Sequence, residues 1–352
     1  TAEPFDLAAA PPVRFAIYRL PDRTVFAMVV HHICADEHSA APFVVDLTAA
    51  YGARVAGNAR TSPNRHVRYV DYAQWQRDLL GHVDDSGHTV GECQVEYWRQ
   101  RLAGQPQRLP LPLDRQYPDR PSYRGARVEL PIDVETHAAV AELARHTGSS
   151  TFMVFHTALA VLLSRLAGTS DVSVGTAVGG RAQPEIAALV GMFVNTVVLR
   201  TDVDQNASFT DLLLAVRDAD LAAFAHADVP FERVVDALDP PRTPEHHPLF
   251  QVAYGGRRHH VEPGASADAV SRVVGAGFFT SLEIDAVPAR FDAHFDADER
   301  FTGNDAVGAT LALTYATDIF DDSTARALLH RWVSVVTAAA TAPDAVVGDI
   351  DI

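Results

Sequence analysis

The sequence predicts a soluble α/β fold with α+β layering. Three observations carry this: strand-like and helix-like stretches are interspersed, no segment repeats at a fixed period, and 47% of the 352 residues are hydrophobic against 21% charged. That composition supplies a sizeable core and argues against disorder. The usual domain size makes about two domains or lobes the starting expectation.

Val13–Leu20 and Thr24–His31 are β-rich runs joined by Pro21-Asp22-Arg23, which reads as a hairpin. The second run, Val25–Val30, is apolar on both faces and is expected to be a central strand. A short polar loop, His31-His32-Ile33-Cys34-Ala35-Asp36-Glu37-His38, leads to Ser39, a natural N-cap for a helix over Ala40–Val55. Amphipathic helices are expected over Tyr69–Leu80 and Glu92–Leu102, separated by the polar stretch Gly81–Gly91. The proline-rich Gly104–Pro121 must run extended. One of these two segments is expected to divide the lobes, giving 1–90 and 91–352, or a boundary as late as 122. Then follow a strand at Ala126–Leu130, helices at Val134–Arg145 and Thr151–Leu166, and strands at Val172–Val178 and Val194–Val203. A helix over Phe209–Phe224, a short helix after Pro230, and strands near Leu249–Tyr254, Phe278–Ile284 and Ala309–Tyr315 precede a last helix at Ser323–Ala340. Gly255–Gly277 reads as a mobile loop.

The formal net charge is −16. Such a chain repels a phosphate backbone, so nucleic acid is not an expected partner. No apolar stretch reaches the ~20 residues a membrane helix needs, so no membrane role is expected either. Cys34 and Cys93 are too few for a disulfide framework and suit a reducing, cytoplasmic setting. The chain opens on Thr1 without a signal peptide and reads as a piece of a longer polypeptide.

Neighbouring side chains at a strand end point to opposite faces, so His31 and His32 cannot both serve one cavity. The same geometry disfavours a metal site made of His31, His32, Asp36 and Glu37, and none is expected. Taken alone, a histidine here is more often a satisfied interior residue. Its place at the exit of an apolar strand into a loop, with Asp36 available as an orienting group, makes chemistry the alternative.

His31-His32-Ile33-Cys34-Ala35-Asp36 resembles the HHxxxD core of the condensation domains of nonribosomal peptide synthetases. Further along, Tyr69-Val70-Asp71-Tyr72-Ala73-Gln74-Trp75, Gly191-Met192-Phe193-Val194-Asn195-Thr196, His226-Ala227-Asp228-Val229-Pro230-Phe231-Glu232 and Pro248-Leu249-Phe250-Gln251-Val252 are similar to later motifs of that family, in its order. His246-His247 replace the family's usual Arg-Asn before the last of these.

The resemblance implies a chloramphenicol-acetyltransferase-like fold, two similar lobes in a V around a central tunnel. It also implies peptide-bond formation between a donor acyl or peptidyl thioester and the amine of an acceptor aminoacyl thioester. Both substrates would ride on phosphopantetheine arms of upstream and downstream carrier proteins, with an adenylation domain in the same polypeptide and no cofactor bound by the domain itself. By position His32 is the catalytic histidine, with His31, Asp36 and Arg181 in support and Asp36 expected to pair with Arg181. Glu37 stands where the family has glycine. It either opens the next helix, where an acidic residue suits the N-terminus, or lines the acceptor side and filters incoming amines. Asn195 is either a packing or capping residue or a tunnel contact, and Pro230-Phe231-Glu232 is read as a helix start.

An imidazole near its reference pKa of about 6.5 suits either accepting a proton from an α-amine that titrates near 7.7–8.0 or stabilising the zwitterionic tetrahedral intermediate by hydrogen bonding, and the sequence does not separate these roles. An acyl-CoA-dependent acyltransferase would share the fold and the histidine motif. A catalytically silent recruiting domain would lack the second histidine, which is present here. The family's first two motifs are expected upstream of Thr1, so the 352 residues are expected to be unstable and inactive alone.

Overall fold

A computed structural model describes residues 3–9, 11–58, 67–84, 87–241, 243, 247–261, 272–274, 277–279 and 287–352. In chain order the early elements are β1 (Val13–Arg19), β2 (Thr24–Val30), α1 (Ala40–Val55), α2 (Tyr69–Gly81), α3 (Val90–Arg101), β3 (Gly125–Ile132), α4 (Val134–Thr147) and α5 (Thr151–Ala167). Next come β4 (Asp171–Val178), α6 (Pro184–Ala187), β5 (Asn195–Asp202), α7 (Phe209–Ala225) and α8 (Phe231–Leu238). The chain continues through β6 (Val252–His260), β7 (Arg272–Val274), β8 (Gly277–Phe279), β9 (Ala293–Thr302), β10 (Asp305–Ala316) and α9 (Asp322–Thr341). Single 3-10 turns stand at His32–Cys34 and Glu37–Ser39.

The chain divides into two units. The first holds β1, β2, α1 and α2, and recruits Gly179–Asn195 and the β7–β8 hairpin from far along the sequence. Its β1–β2 pair is antiparallel, with Val13 opposite Val30 and Arg19 opposite Thr24. Among the described residues β2 pairs with β1 alone, and Phe15, Ile17, Tyr18 and Phe26 are exposed.

The second unit is built on a six-stranded mixed sheet in the order β3-β10-β9-β6-β4-β5. β10 runs antiparallel to β3 and β9, whereas β6 runs parallel to β9 and β4. α4, α5 and α9 pack together and onto this sheet. Sequence sets the ends of the first two: Asp133 and Ser150 accept N–H bonds from Thr136 and Met153, and Gly148 and Gly168 close them with φ of 62° and 64°. Every residue from Met153 to Ser164 is buried, which encloses α5 on all sides at the centre of the core. Trp332 of α9 meets it, donating its indole N–H to the Phe155 carbonyl at 3.3 Å and setting its ring against Phe295.

β9, in the middle of the sheet, answers to no predicted strand. Ala293, Phe295, Ala297 and Phe301 do alternate inward, but Glu299 at the next inward place disguises the pattern. Its carboxylate is satisfied inside, by His137 Nε2 at 2.9 Å and the Thr151 hydroxyl at 2.7 Å. His137 Nδ1 accepts the Gly308 N–H, which fixes the neutral Nε2–H tautomer that donates to Glu299. The expected loop from Gly255 begins instead as the second half of β6, through His260. Residues 262–271, and 280–284 of the strand expected at Phe278–Ile284, lie outside the described residues.

Phe250 explains why a glycine stands in β4. A Cβ at Gly175 would lie 2.1 Å from the Phe250 ring, which is itself buried, and the preceding Leu249 has φ 69°. Gly175→Ala is therefore expected to destabilise the unit by about 1–3 kcal/mol through overpacking. Urea unfolding checks this, and adding Phe250→Leu should recover part of the loss.

Candidate active site

The histidine loop lies wholly in the first unit and is shaped by two one-turn helices. His31 precedes the first turn and caps it: its Nδ1 accepts the Ile33 N–H at 3.1 Å, and its ring stands edge-on to Phe5 at 6.0 Å. His32, the first residue of that turn, is exposed, as are Cys34, Glu37 and His38. The two histidines are thus unlike: one is used up by the backbone, the other faces outward.

Asp36 is the opposite case. Its side chain is 0% exposed and Arg181 beside it 9% exposed, with Arg181 Nη2 2.8 Å from Asp36 Oδ1. The other carboxylate oxygen, Oδ2, accepts the Phe193 N–H at 3.0 Å, and Oδ1 also accepts the Ser39 N–H at 2.9 Å. The Ser39 hydroxyl sits 2.8 Å from Oδ1 and 2.9 Å from the Gly191 carbonyl. Burial works to raise the Asp36 carboxyl, but the bonds from Arg181, Phe193 and Ser39, with the charge of Arg181, outweigh it and hold the group below the usual carboxylate range. The expected role of Ser39 as the cap of α1 is corrected. Its hydroxyl is taken by Asp36 and by a backbone 152 residues away, and Asp36 caps the preceding turn instead. Glu37 is the first residue of that capped turn.

Arg181 is fixed on its other side as well. Its Nη1 donates to the Leu189 and Ile186 carbonyls at 2.8 and 3.1 Å, and its guanidinium carbon lies 4.0 Å from the Phe193 ring centroid. Gly180, at φ 63°, lets the chain approach, since a Cβ there would fall 2.1 Å from the Phe193 carbonyl.

Two motifs explain each other at this point. Tyr69 and Tyr72, three apart on one face of α2, hold the Phe193 ring at centroid distances of 5.2 and 4.6 Å, and the Tyr69 hydroxyl donates to the Met192 carbonyl at 2.7 Å. The Tyr69 ring lies where a Cβ at Gly191 would be, at 2.2 Å. Asp71 accepts the Arg68 N–H at 2.9 Å and closes the first turn of α2. The aromatic motif thus clamps the segment that supplies Phe193 N–H and Gly191 to Asp36. Asn195 begins β5 and is half-buried. Sequence reasoning did not single out Ser39, Gly180, Gly191 or Phe193 as parts of this network, and only the glycines flanking Arg181 and Phe193 hint at close backbone approach.

The remaining motifs serve packing in the second unit. Gln94 of α3 donates to Asp228 at 2.9 Å and accepts the Val229 N–H at 2.9 Å, while His226 stacks on Tyr97 with centroids 3.8 Å apart. Pro230 is the N-cap of α8. His247 packs on Phe250 at 4.4 Å, and His246 lies outside the described residues. Among the described residues, no three His, Cys, Asp or Glu side chains gather as a metal ion would require, and no single helix is long and apolar enough to cross a membrane.

The family described as Condensation domain matches residues 1–352. An isonitrile lipopeptide synthase of Mycobacterium tuberculosis is 41% identical over 349 residues, 99% of this chain and 14% of that protein. A dimodular nonribosomal peptide synthase of Bacillus subtilis is 37% identical over 354 residues, again 99% of this chain and 14% of that protein. The chain therefore spans only a small part of the length of these relatives. Among solved structures, the X-domain from teicoplanin biosynthesis superposes with a TM-score of 0.86 at 33% identity, covering 99% of this chain and 76% of that one. The first condensation domain of the calcium-dependent antibiotic synthetase, solved with a substrate analogue, shares the fold with a TM-score of 0.68 at 19% identity over 96% of this chain and 69% of that one. With the histidine loop and its order of motifs, the full-length match places this chain in the condensation-domain family of nonribosomal peptide synthetases.

Proposed function

We propose that this chain joins a donor acyl or peptidyl thioester to the amine of an acceptor aminoacyl thioester, with His32 at the reaction centre. Both substrates are delivered on phosphopantetheine arms of carrier proteins within a longer synthetase that also holds an adenylation domain. The acceptor nitrogen attacks the thioester carbonyl, the C–N bond forms, and the C–S bond breaks to release the donor arm as a thiol. The His32 imidazole takes one proton from the acceptor ammonium to free the attacking amine and returns it to solvent, and the second proton, lost by the nitrogen once the C–N bond has formed, goes to the leaving sulfur. The observation that carries the reading is the division of labour in the loop: His31 and Asp36 are consumed by structure, which leaves His32 exposed on an anchored turn. Glu37 is read as the opening residue of its turn and Asn195 as a strand-start residue, neither touching the reacting atoms.

A second reading has one specific observation in its favour. The X-domain, solved also in a complex with OxyB from teicoplanin biosynthesis, gives a TM-score of 0.86 here. A recruiting domain of that kind would hold a partner without forming a bond. The test is to offer loaded donor and acceptor carriers, then acyl-CoA with the same acceptor, and to look for amide by mass spectrometry. Amide from the carrier pair is the expected result. Product from acyl-CoA alone would make this an acyltransferase of the same fold, and no product from either would favour recruitment.

A further inference from the structure

The second unit contains a cavity of about 570 Å³ that the acyl-transfer reading leaves unused. Small-molecule sites occupy about 300–1,000 Å³ and combine apolar walls with a few polar groups. Here the walls are the rings of Tyr117, Tyr123 and Phe291 together with Pro118, Pro121 and Pro288. These residues offer large contact area and lose little freedom on binding. Tyr123 sits at φ 56° and is 60% exposed, a conformation that a bulky residue keeps only where its surroundings impose it.

The charges around this cavity are not equally available. Asp318 accepts both the N–H and the hydroxyl of Ser122 at 2.7 Å, and the Ser122 backbone bond is the foremost cause holding its carboxyl below the usual range. Asp292 is buried and accepts the Tyr117 hydroxyl. Arg290 lines the same cavity and is exposed, with no hydrogen bond or ion pair to another described residue. Arg108 adds a second cation close by, its guanidinium carbon 4.8 Å from the Tyr117 ring centroid. Both carboxylates are thus already engaged by neighbouring donors, while among the described residues the planar, two-point donor of Arg290 remains to be matched, which suits a carboxylate.

We propose that this cavity binds a small organic acid, its aryl or acyl body against the rings and prolines and its carboxylate on Arg290. A ligand-observed NMR titration of the full chain with indole-3-acetate and with uncharged indole-3-acetamide tests it. Wild type should bind the acetate at least about tenfold more tightly than the amide, as a charge-assisted bond allows. Arg290→Gln should abolish that preference with melting unchanged, and Tyr123→Ala should weaken both ligands. Equal affinities for the two in wild type, absence of binding, or a preference that survives Arg290→Gln would overturn the proposal. None of these results depends on whether the chain makes amide bonds.

Discussion

His32→Ala in the intact polypeptide is expected to lower the rate of amide formation by about 10²–10⁴-fold, the usual contribution of a general base. The melting temperature should not move. His32 is exposed at the start of a one-turn helix whose cap is supplied by His31. Truncating it removes no interior contact. The loss should fall on kcat, because carrier docking and arm insertion do not use the imidazole, and positioning alone can supply effective molarities of about 10⁵–10⁸ M. A pH profile separates a base from a merely positioning group. The acceptor α-amine titrates near 7.7–8.0, so above about pH 8 it loses its proton without help and the gap between variant and wild type should narrow. Parallel profiles would assign His32 to positioning, and near-wild-type turnover with the physiological carrier pair would remove it from the reaction.

Much of the site was legible in the sequence because its parts are local. The hairpin, the loop from His31 to Glu37 and the aromatic helix at Tyr69 each announce themselves within a few residues. The Asp36–Arg181 partnership spans 145 positions, and no periodicity or spacing points to it; the resemblance to a family supplied it. Ser39 shows the converse failure. A serine before a helix is a strong capping signal, yet the Gly191 backbone and Asp36 outbid the helix for its hydroxyl, a tertiary override of a local preference. β9 was hidden by Glu299, a charge that is tolerated inside only because His137 and Thr151 meet it. The glycines at 255 and 256 read as loop but belong to β6, where a Cβ at Gly255 would fall 2.9 Å from Asp296 Oδ1. In each case the missing information was a partner distant in sequence.

Asp36→Ala and Arg181→Ala are each expected to destabilise the protein by about 3–5 kcal/mol, the cost of leaving one member of a buried pair without the other. Asp36 removal orphans more than a charge, since the Phe193 and Ser39 N–H groups lose their acceptor along with the Arg181 guanidinium. A paired replacement such as Asp36→Leu with Arg181→Met should cost less than the sum of the single changes, and a double-mutant cycle by urea unfolding measures the difference. The pH dependence has a fixed sign. The folded-state pKa of Asp36 lies below its unfolded value of about 3.9, so its stabilisation is fully present above about pH 5 and is lost as pH falls through the folded pKa. The stability difference between wild type and Asp36→Asn should therefore be flat from about pH 5 to 8 and shrink below about pH 4. A soluble Asp36→Ala protein that melts normally yet makes no amide would contradict the structural role and move Asp36 into the chemistry. If instead the variant is unstable while His32→Ala is stable and inactive, the two halves of one short loop divide cleanly: the aspartate anchors the loop on which the histidine stands.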